Sequence, residues 1–430
     1  MTPFGQRIEP LSALMYDPAK AGALSDLIAP PYDLIDAARQ DALYARSPYN
    51  VIRLELNRDA DPYASASATL DQWRGDGILS YHLPPAIFFY TQRFEVAGKP
   101  LSRNGLIARI RLEPFSSGRV LPHEKTFPKA KEDRLKLLTA TRTNVSPIFG
   151  LYPADTGLRD LTAEVAKRAP MLRAKDDLGI ENELRLISAP QEIAAIQHAL
   201  ADCRVLIADG HHRYETALEY QRRRRADDPS PAAIRGYDYV MMTLVAFDDP
   251  GLVILPTHRV VRSLPAGVIA SFAAKAREHF TVEELHSGEA LHAALVQRGR
   301  GAIGVALKGQ SPYLLTLRDA TVMAAIAPDL AAVVRDLDVA RLHVLVFNRI
   351  FAVSAEQIRQ GGDITYTIDA AGALGAVARG EGDGAFLMNP PTVHDVARVS
   401  DSGATMPEKS TYFHPKLVTG LVLNPLDDPA

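Results

Sequence analysis

Asp209-Gly210-His211-His212-Arg213 places one carboxylate, one glycine, two imidazoles and one guanidinium in five consecutive positions. Glycine lets the backbone turn where other residues are strained, and a helix that starts just after such a turn presents free amides at its positive end. Together with His211, His212 and Arg213 those amides suit an anion such as phosphate, while Asp209 offers a carboxylate for general-base or metal work. Two other readings compete. In one, Asp209 caps the helix and the histidines bond locally; in the other, Asp209 joins His211 or His212 around a divalent metal. The phosphate reading is preferred because three cationic side chains at the positive end of a helix are costly unless an anion or an acid offsets them.

A second chemical segment runs from Leu121 to Arg134 and includes His123, Glu124, Lys125, Lys129, Lys131 and Arg134. One acid among many bases in a proline-bounded loop suits the gripping of a polyphosphate, with Glu124 as a base or metal ligand. A third, Met406 to Lys416, carries Lys409, Ser410, Thr411 and a second lysine in a stretch without core periodicity, and could close over a ligand. Asp33, His258 and Asn389-Pro390-Pro391 read as turn or strand-end residues. There is no Walker-type glycine loop, no Gly-x-Ser-x-Gly elbow and no His-Glu-x-x-His, so the common kinases, α/β-hydrolases and zincins are set aside.

The elements that must hold these groups can be read from periodicity. Arg204 to Ala208 is an apolar strand leading into the turn, and His212 to about Arg225 is the helix that leaves it. Arg222 to Arg225 then close that helix and complement its dipole. Helices are expected at Tyr63–Gly75, Gln191–Ala201, Ala266–His279 and Leu337–Ile350. Strands are expected at Val51–Leu56, Ala86–Phe94, Ile107–Leu112, Tyr237–Phe247, Val253–Val261, Ala302–Leu307 and Ala385–Asn389. Short strands without long βα alternation favour an α+β fold with mixed sheets over a doubly wound one. The length predicts two or three compact units, drawn as 1–155, 156–262 and 263–430.

Composition narrows the class. The 430 residues are 47% hydrophobic and 23% charged, an ordinary globular balance, and the net charge of −3 gives no basic field for nucleic acid. A single cysteine, Cys203, excludes an intrachain disulfide and any multi-cysteine metal site. No signal-like N-terminus or membrane-length apolar run is visible, so a cytoplasmic protein without membrane or nucleic-acid partners is expected, with a homodimer left open.

Ala29-Pro30-Pro31-Tyr32-Asp33, Ser47-Pro48-Tyr49-Asn50, His123-Glu124-Lys125-Thr126, His211 to Ala217 and Lys409 to Phe413 together resemble domain-of-unknown-function family 1015, over almost the whole chain. More distantly, Asp209 to Arg213 is similar to the Asp-Gly-His-His-Arg motif of archaeal ADP-dependent free-serine kinases of the ParB/sulfiredoxin superfamily. That resemblance implies a ParB/sulfiredoxin-like strand-turn-helix core, with an additional α/β region. It further implies that Asp209 assists a serine hydroxyl, that Gly210 to Arg213 hold phosphate, and that a separate glutamate, matched here to Glu124, acts as base. Sulfiredoxin chemistry is not expected, since the turn has no cysteine, and no basic recognition helix follows as in ParB proteins.

The leading expectation is thus a phosphotransferase on a small hydroxylated metabolite, serine or phosphoserine first, working as kinase or phosphatase. Mg²⁺ would neutralise a nucleotide or other phosphoryl donor. A nucleotide-binding regulator without turnover is the second expectation. A metal-dependent hydrolase using Asp209 and the histidine pair His211 and His212 is the third, and Asp209 and Glu124 are the candidate ligands should a metal be held.

Overall fold

In the computed structural model, which describes residues 7–126, 128–230, 233–353 and 363–427, the chain divides into two compact units. The first comprises 1–122, 126–253 and 415–430, and the second 123–125 and 254–414.

The first unit is built on a nine-stranded mixed sheet. Its order is Val120–Leu121, Val205–Asp209, Ile148–Tyr152, Tyr239–Ala246, Lys99–Arg111, Ile87–Val96, Glu181–Ile187 and Leu172–Lys175, with Ile8–Glu9 also pairing to Lys99–Arg111. Val205–Asp209 runs parallel to Val120–Leu121 and antiparallel to Ile148–Tyr152, and its register slips between Ile207 and Asp209. Its first four residues are buried, which is why it reads as an unbroken apolar run. The helix that follows, His211–Asp227, buries Tyr214 and Ala217 in the core under the sheet. The Tyr214 hydroxyl donates to the Glu113 carbonyl at 2.8 Å and its ring stacks on Phe115, which fixes the rotation of the helix. Helix Pro128–Thr141 packs beside it.

The second unit carries a six-stranded sheet, antiparallel throughout, in the order Phe280–Glu284, Tyr313–Leu317, Ala302–Leu307, Gly384–Met388, His258–Val261 and Ile364–Thr367. Helices Gly288–Arg298 and Ala370–Ala378 cover one face through Leu291, Leu295, Ala373 and Val377. Phe272, Phe347, Phe351 and Phe386 form a separate ring cluster.

The mixed α and β character expected from the sequence is therefore present in both units. The boundary drawn after residue 155 falls inside a single sheet, because Lys99–Arg111 pairs with Tyr239–Ala246 and Ile87–Val96 with Glu181–Ile187. Val51–Leu56 is not a strand but a short helix, Ile52–Glu55. Its near-alternation of apolar residues is overridden locally by Asn50, whose Oδ1 accepts the Ile52 amide at 3.0 Å while its amide group donates to the Asp26 and Ile28 carbonyls. The basic segment is helical from Pro128, a residue preorganised for a first turn, so Lys129, Lys131 and Arg134 sit on a helix rather than a loop. Val253–Val261 splits into Val253–Leu255 and His258–Val261 around Pro256, which has no amide to give a ladder. The expected helix Leu337–Ile350 is a short α-helix, Asp338–Arg341, continued by a π-helical stretch, Leu342–Phe351. Among the described residues no helix is long and apolar enough to cross a membrane.

Candidate functional site

Strand Val205–Asp209 ends at Asp209, and Gly210 takes φ +92°, a left-handed conformation open to glycine and strained for other residues. A β-carbon at Gly210 would also lie 3.0–3.1 Å from the Arg213 guanidinium. Gly210 is the N-cap of the helix and has no side chain to cap with, so the leading amides face outward without a side-chain acceptor from that position. The reading in which Asp209 caps the helix gives way here. Its carboxylate instead accepts from Arg213 at 2.8 Å on one oxygen and from the Lys416 ammonium on the other.

Both cations are held from behind. Arg213 also donates to the Pro147 carbonyl at the head of strand Ile148–Tyr152, and Lys416 lies on a segment fixed by its own backbone. Gln92 donates to the Lys416 carbonyl at 3.1 Å, and the buried guanidinium of Arg103, stacked over Phe149, donates to the carbonyl of Pro415. Burial pushes the Asp209 carboxyl up, but Lys416, Arg213 and then His211 outweigh it and hold the group well below its ordinary value. Asp209 is consequently an anion at neutral pH that orients two cations beside an uncapped helix start, and is a poor proton acceptor there.

Arg213 also lines a small cavity of about 50 Å³ with Glu55, Arg134, Ser146 and Thr216. Glu55 is 2% exposed and pairs with Arg134, itself 6% exposed, at 3.2 Å, and the Ser146 hydroxyl donates to the same Glu55 oxygen at 3.1 Å. The Arg134 guanidinium stacks on Tyr32. Burial raises the Tyr32 hydroxyl to about 12 although Arg213 and Arg134 pull it down. The Pro30-Pro31-Tyr32 and Ser47-to-Asn50 motifs thus serve the surroundings of Arg213, the first through Tyr32 and the second through the helix that carries Glu55.

The remaining expected residues fall in three places. Lys131 pairs with Glu215 at 2.8 Å, and Thr126 donates to the same carboxylate, while Lys129 is exposed. His123, Glu124 and Lys125 belong to the second unit together with Lys409, Ser410 and Thr411. There the buried His123 ring meets the Thr411 hydroxyl at 3.0 Å, the Lys409 amide donates to Glu124 at 3.4 Å, and Ser410 donates to the Pro407 carbonyl. Lys125 is exposed. His211 is buried on the helix start and His212 is half-buried. Sequence reasoning missed Glu55, Tyr32, Ser146 and Glu215 as site residues, and it noted Lys416 only as one lysine of the C-terminal stretch.

A resident metal does not fit this turn. Each Asp209 oxygen already accepts from a cation, and among the described residues no three His, Cys, Asp or Glu side chains gather as a ligand group.

The chain belongs to DUF1015, described as a protein of unknown function, whose family model matches residues 8–340. Among solved structures it is similar to a mutant free serine kinase in complex with ADP, at 14% identity and TM-score 0.37, covering 74% of this chain and 92% of that one. A C-terminally truncated SbnI from Staphylococcus aureus gives 13% identity and TM-score 0.35 over 74% and 87%. A conserved hypothetical protein from Pyrococcus furiosus gives 14% and 0.34 over 74% and 95%. No curated protein matches the chain.

Proposed function

We propose that the protein is a phosphotransferase acting on a small hydroxylated metabolite, with serine or O-phosphoserine the first to test, and that the Asp209–Arg213 turn holds the phosphoryl group. The observation that carries this reading is the meeting of an uncapped helix start with two cations, Arg213 and Lys416, oriented by one ionised carboxylate. The similarity of the five-residue motif to that of free-serine kinases points the same way, as does a ParB/sulfiredoxin-like reading of the strand-turn-helix. Helix amides and the Lys416 ammonium stabilise charge developing on the phosphoryl oxygens, and Arg213 adds a planar fork. Asp209 keeps both cations in place. Mg²⁺ enters with the nucleotide as part of the substrate, bound mainly through its phosphates. Because Asp209 is a poor base, the proton acceptor must be another group, for which Glu124 is the candidate from the sequence.

Phosphorus NMR with Mg²⁺ and L-serine, supplied with ATP, ADP or pyrophosphate, and separately with O-phosphoserine alone, tests the reaction and its direction. Asp209→Asn and Lys416→Ala are each expected to lower kcat by about a hundredfold or more, while Glu124→Gln tests the acceptor. Formation or loss of phosphoserine in the native protein that survives Asp209→Asn and Lys416→Ala alike would remove the turn from the chemistry. A second reading, a nucleotide-binding regulator, is favoured by the same double pairing of Asp209, which leaves the turn with charge for binding and no base of its own. Nucleotide binding without any turnover would put that reading first.

A further inference from the structure

A cavity of about 280 Å³ opens in the first unit away from the Asp209 turn, between helix Arg159–Ala166 and the strands Ile87–Val96, Lys99–Arg111 and Ile148–Tyr152. Its floor is apolar, with Phe89 and Leu106 from the sheet, and the small side chains of Ala163 and Ala166 on the helix leave the space unfilled. Its polar lining brings Asp248, Asp249 and Tyr152 together with Asn104, Thr156 and Thr162, and the one cation among the lining residues, Arg159, is ion-paired to Asp248.

Asp249 keeps an exposed lone-pair side. Its oxygens accept the Asn104 amide at 3.1 Å and the Gly251 amide at 2.8 Å, one donor each, where an ionised carboxylate has about four acceptor positions. Burial raises the Asp249 carboxyl above its ordinary value against the pull of those amides and of Arg103. Tyr152 is 6% exposed as a residue, and its hydroxyl makes no hydrogen bond among the described residues. Burial raises that hydroxyl to about 12, and Asp249 and then Asp248 add to the rise.

We propose that this cavity is a ligand site of its own, for a small primary ammonium compound. The ammonium is held by Asp249, Asp248 and the Tyr152 hydroxyl, and its carbon body lies against Phe89, Leu106 and Ala163. An ammonium has three donors and no acceptor, which matches the spare acceptor positions of Asp249 and the hydroxyl of Tyr152. The volume is close to the lower end of small-molecule sites and suits a body of a few carbons. None of its lining residues belongs to the Asp209 turn or is Lys416, so this site stands or falls separately from the proposed phosphotransfer.

Isobutylamine, isobutanol and isobutyrate share one carbon skeleton and differ in charge, and amide NMR on the full chain reads their binding at the Asn104 and Gly251 amides. Isobutylamine is expected to give saturable shifts there, with isobutanol about ten- to a hundredfold weaker and isobutyrate inert. Asp249→Asn should weaken the amine by a similar factor. Ala163→Leu, which fills the cavity while leaving every polar group in place, should abolish binding and guards against a turn disturbed by the first substitution. Equal response to amine and alcohol, preference for the acid, retention of binding in Ala163→Leu, or no saturable shift in the millimolar range each overturns the proposal.

Discussion

Asp209 has a cation on each oxygen, and the consequence is a stability term with a definite pH window. Its folded pKa lies below the ordinary 3.8, so the paired state binds fewer protons than the unfolded chain. The contribution is complete above 3.8 and is lost as pH falls from there towards the folded value. In urea titrations Asp209→Asn should cost about 1–3 kcal/mol at pH 7, because Arg213 and Lys416 lose the charge they face, and about 1 kcal/mol less at pH 3, where the unfolded carboxyl is mostly protonated. A cost that stays constant between the two pH values would show that the pairing is not what Asp209 contributes. The turn itself was legible in the sequence, since a glycine between an apolar strand and a histidine-led helix has few other uses. Lys416 was not, because it lies 207 positions away and only the paired sheet strands under Gln92 and Arg103 bring it back.

At the scale of elements, the site depends on two helices whose meeting no local pattern announced. Ile52–Glu55 exists because Asn50 turns the chain, and it delivers Glu55 to Arg134 on helix Pro128–Thr141, where both charges are almost fully buried. Read by periodicity alone, Val51–Leu56 looks like a strand, which would put Glu55 on a solvent face, and Arg134 looks like one more phosphate-seeking cation. Burial reverses both readings. A buried pair costs more to break than it returns, so Glu55→Leu or Arg134→Met alone should each lose about 3–5 kcal/mol of stability. The double replacement Glu55→Leu with Arg134→Met should recover much of that loss, since well-packed apolar residues can stand in for a buried ion pair. Circular dichroism in urea on the four proteins gives the cycle. Losses that simply add would mean the two residues act independently, and the pair would then not be the element that sets the helix against Asn50.

At the scale of the whole molecule, the two units hold different titrating groups and should meet acid differently. In the second unit, burial, His292 and Arg259 lower the His258 imidazole to about 4 against a weaker opposing pull from Asp369, and it accepts the Met388 amide at 3.1 Å. His343 in the same unit is lowered to about 3 by burial and Arg259. A histidine buried neutral supports the fold fully above the unfolded value of 6.5 and loses that support as pH falls towards the folded value. At 1.36 kcal/mol for each tenfold change in proton affinity, His258 alone withdraws about 3 kcal/mol across that window. The lowered carboxyls of the first unit, Asp209 and Glu183 among them, have ordinary values of 3.8 to 4.5, so its losses begin lower. Hydrogen exchange at pH 5, corrected for intrinsic rates and compared with pH 7, should therefore loosen Ala302–Leu307 and Gly384–Met388 while Lys99–Arg111 and Tyr239–Ala246 keep their protection. His258→Gln, which keeps an acceptor for the Met388 amide but cannot take up a proton in this range, should remove part of the difference. Loss of protection in both sheets together would mean that the units unfold as one, and that the buried histidines are not what separates them.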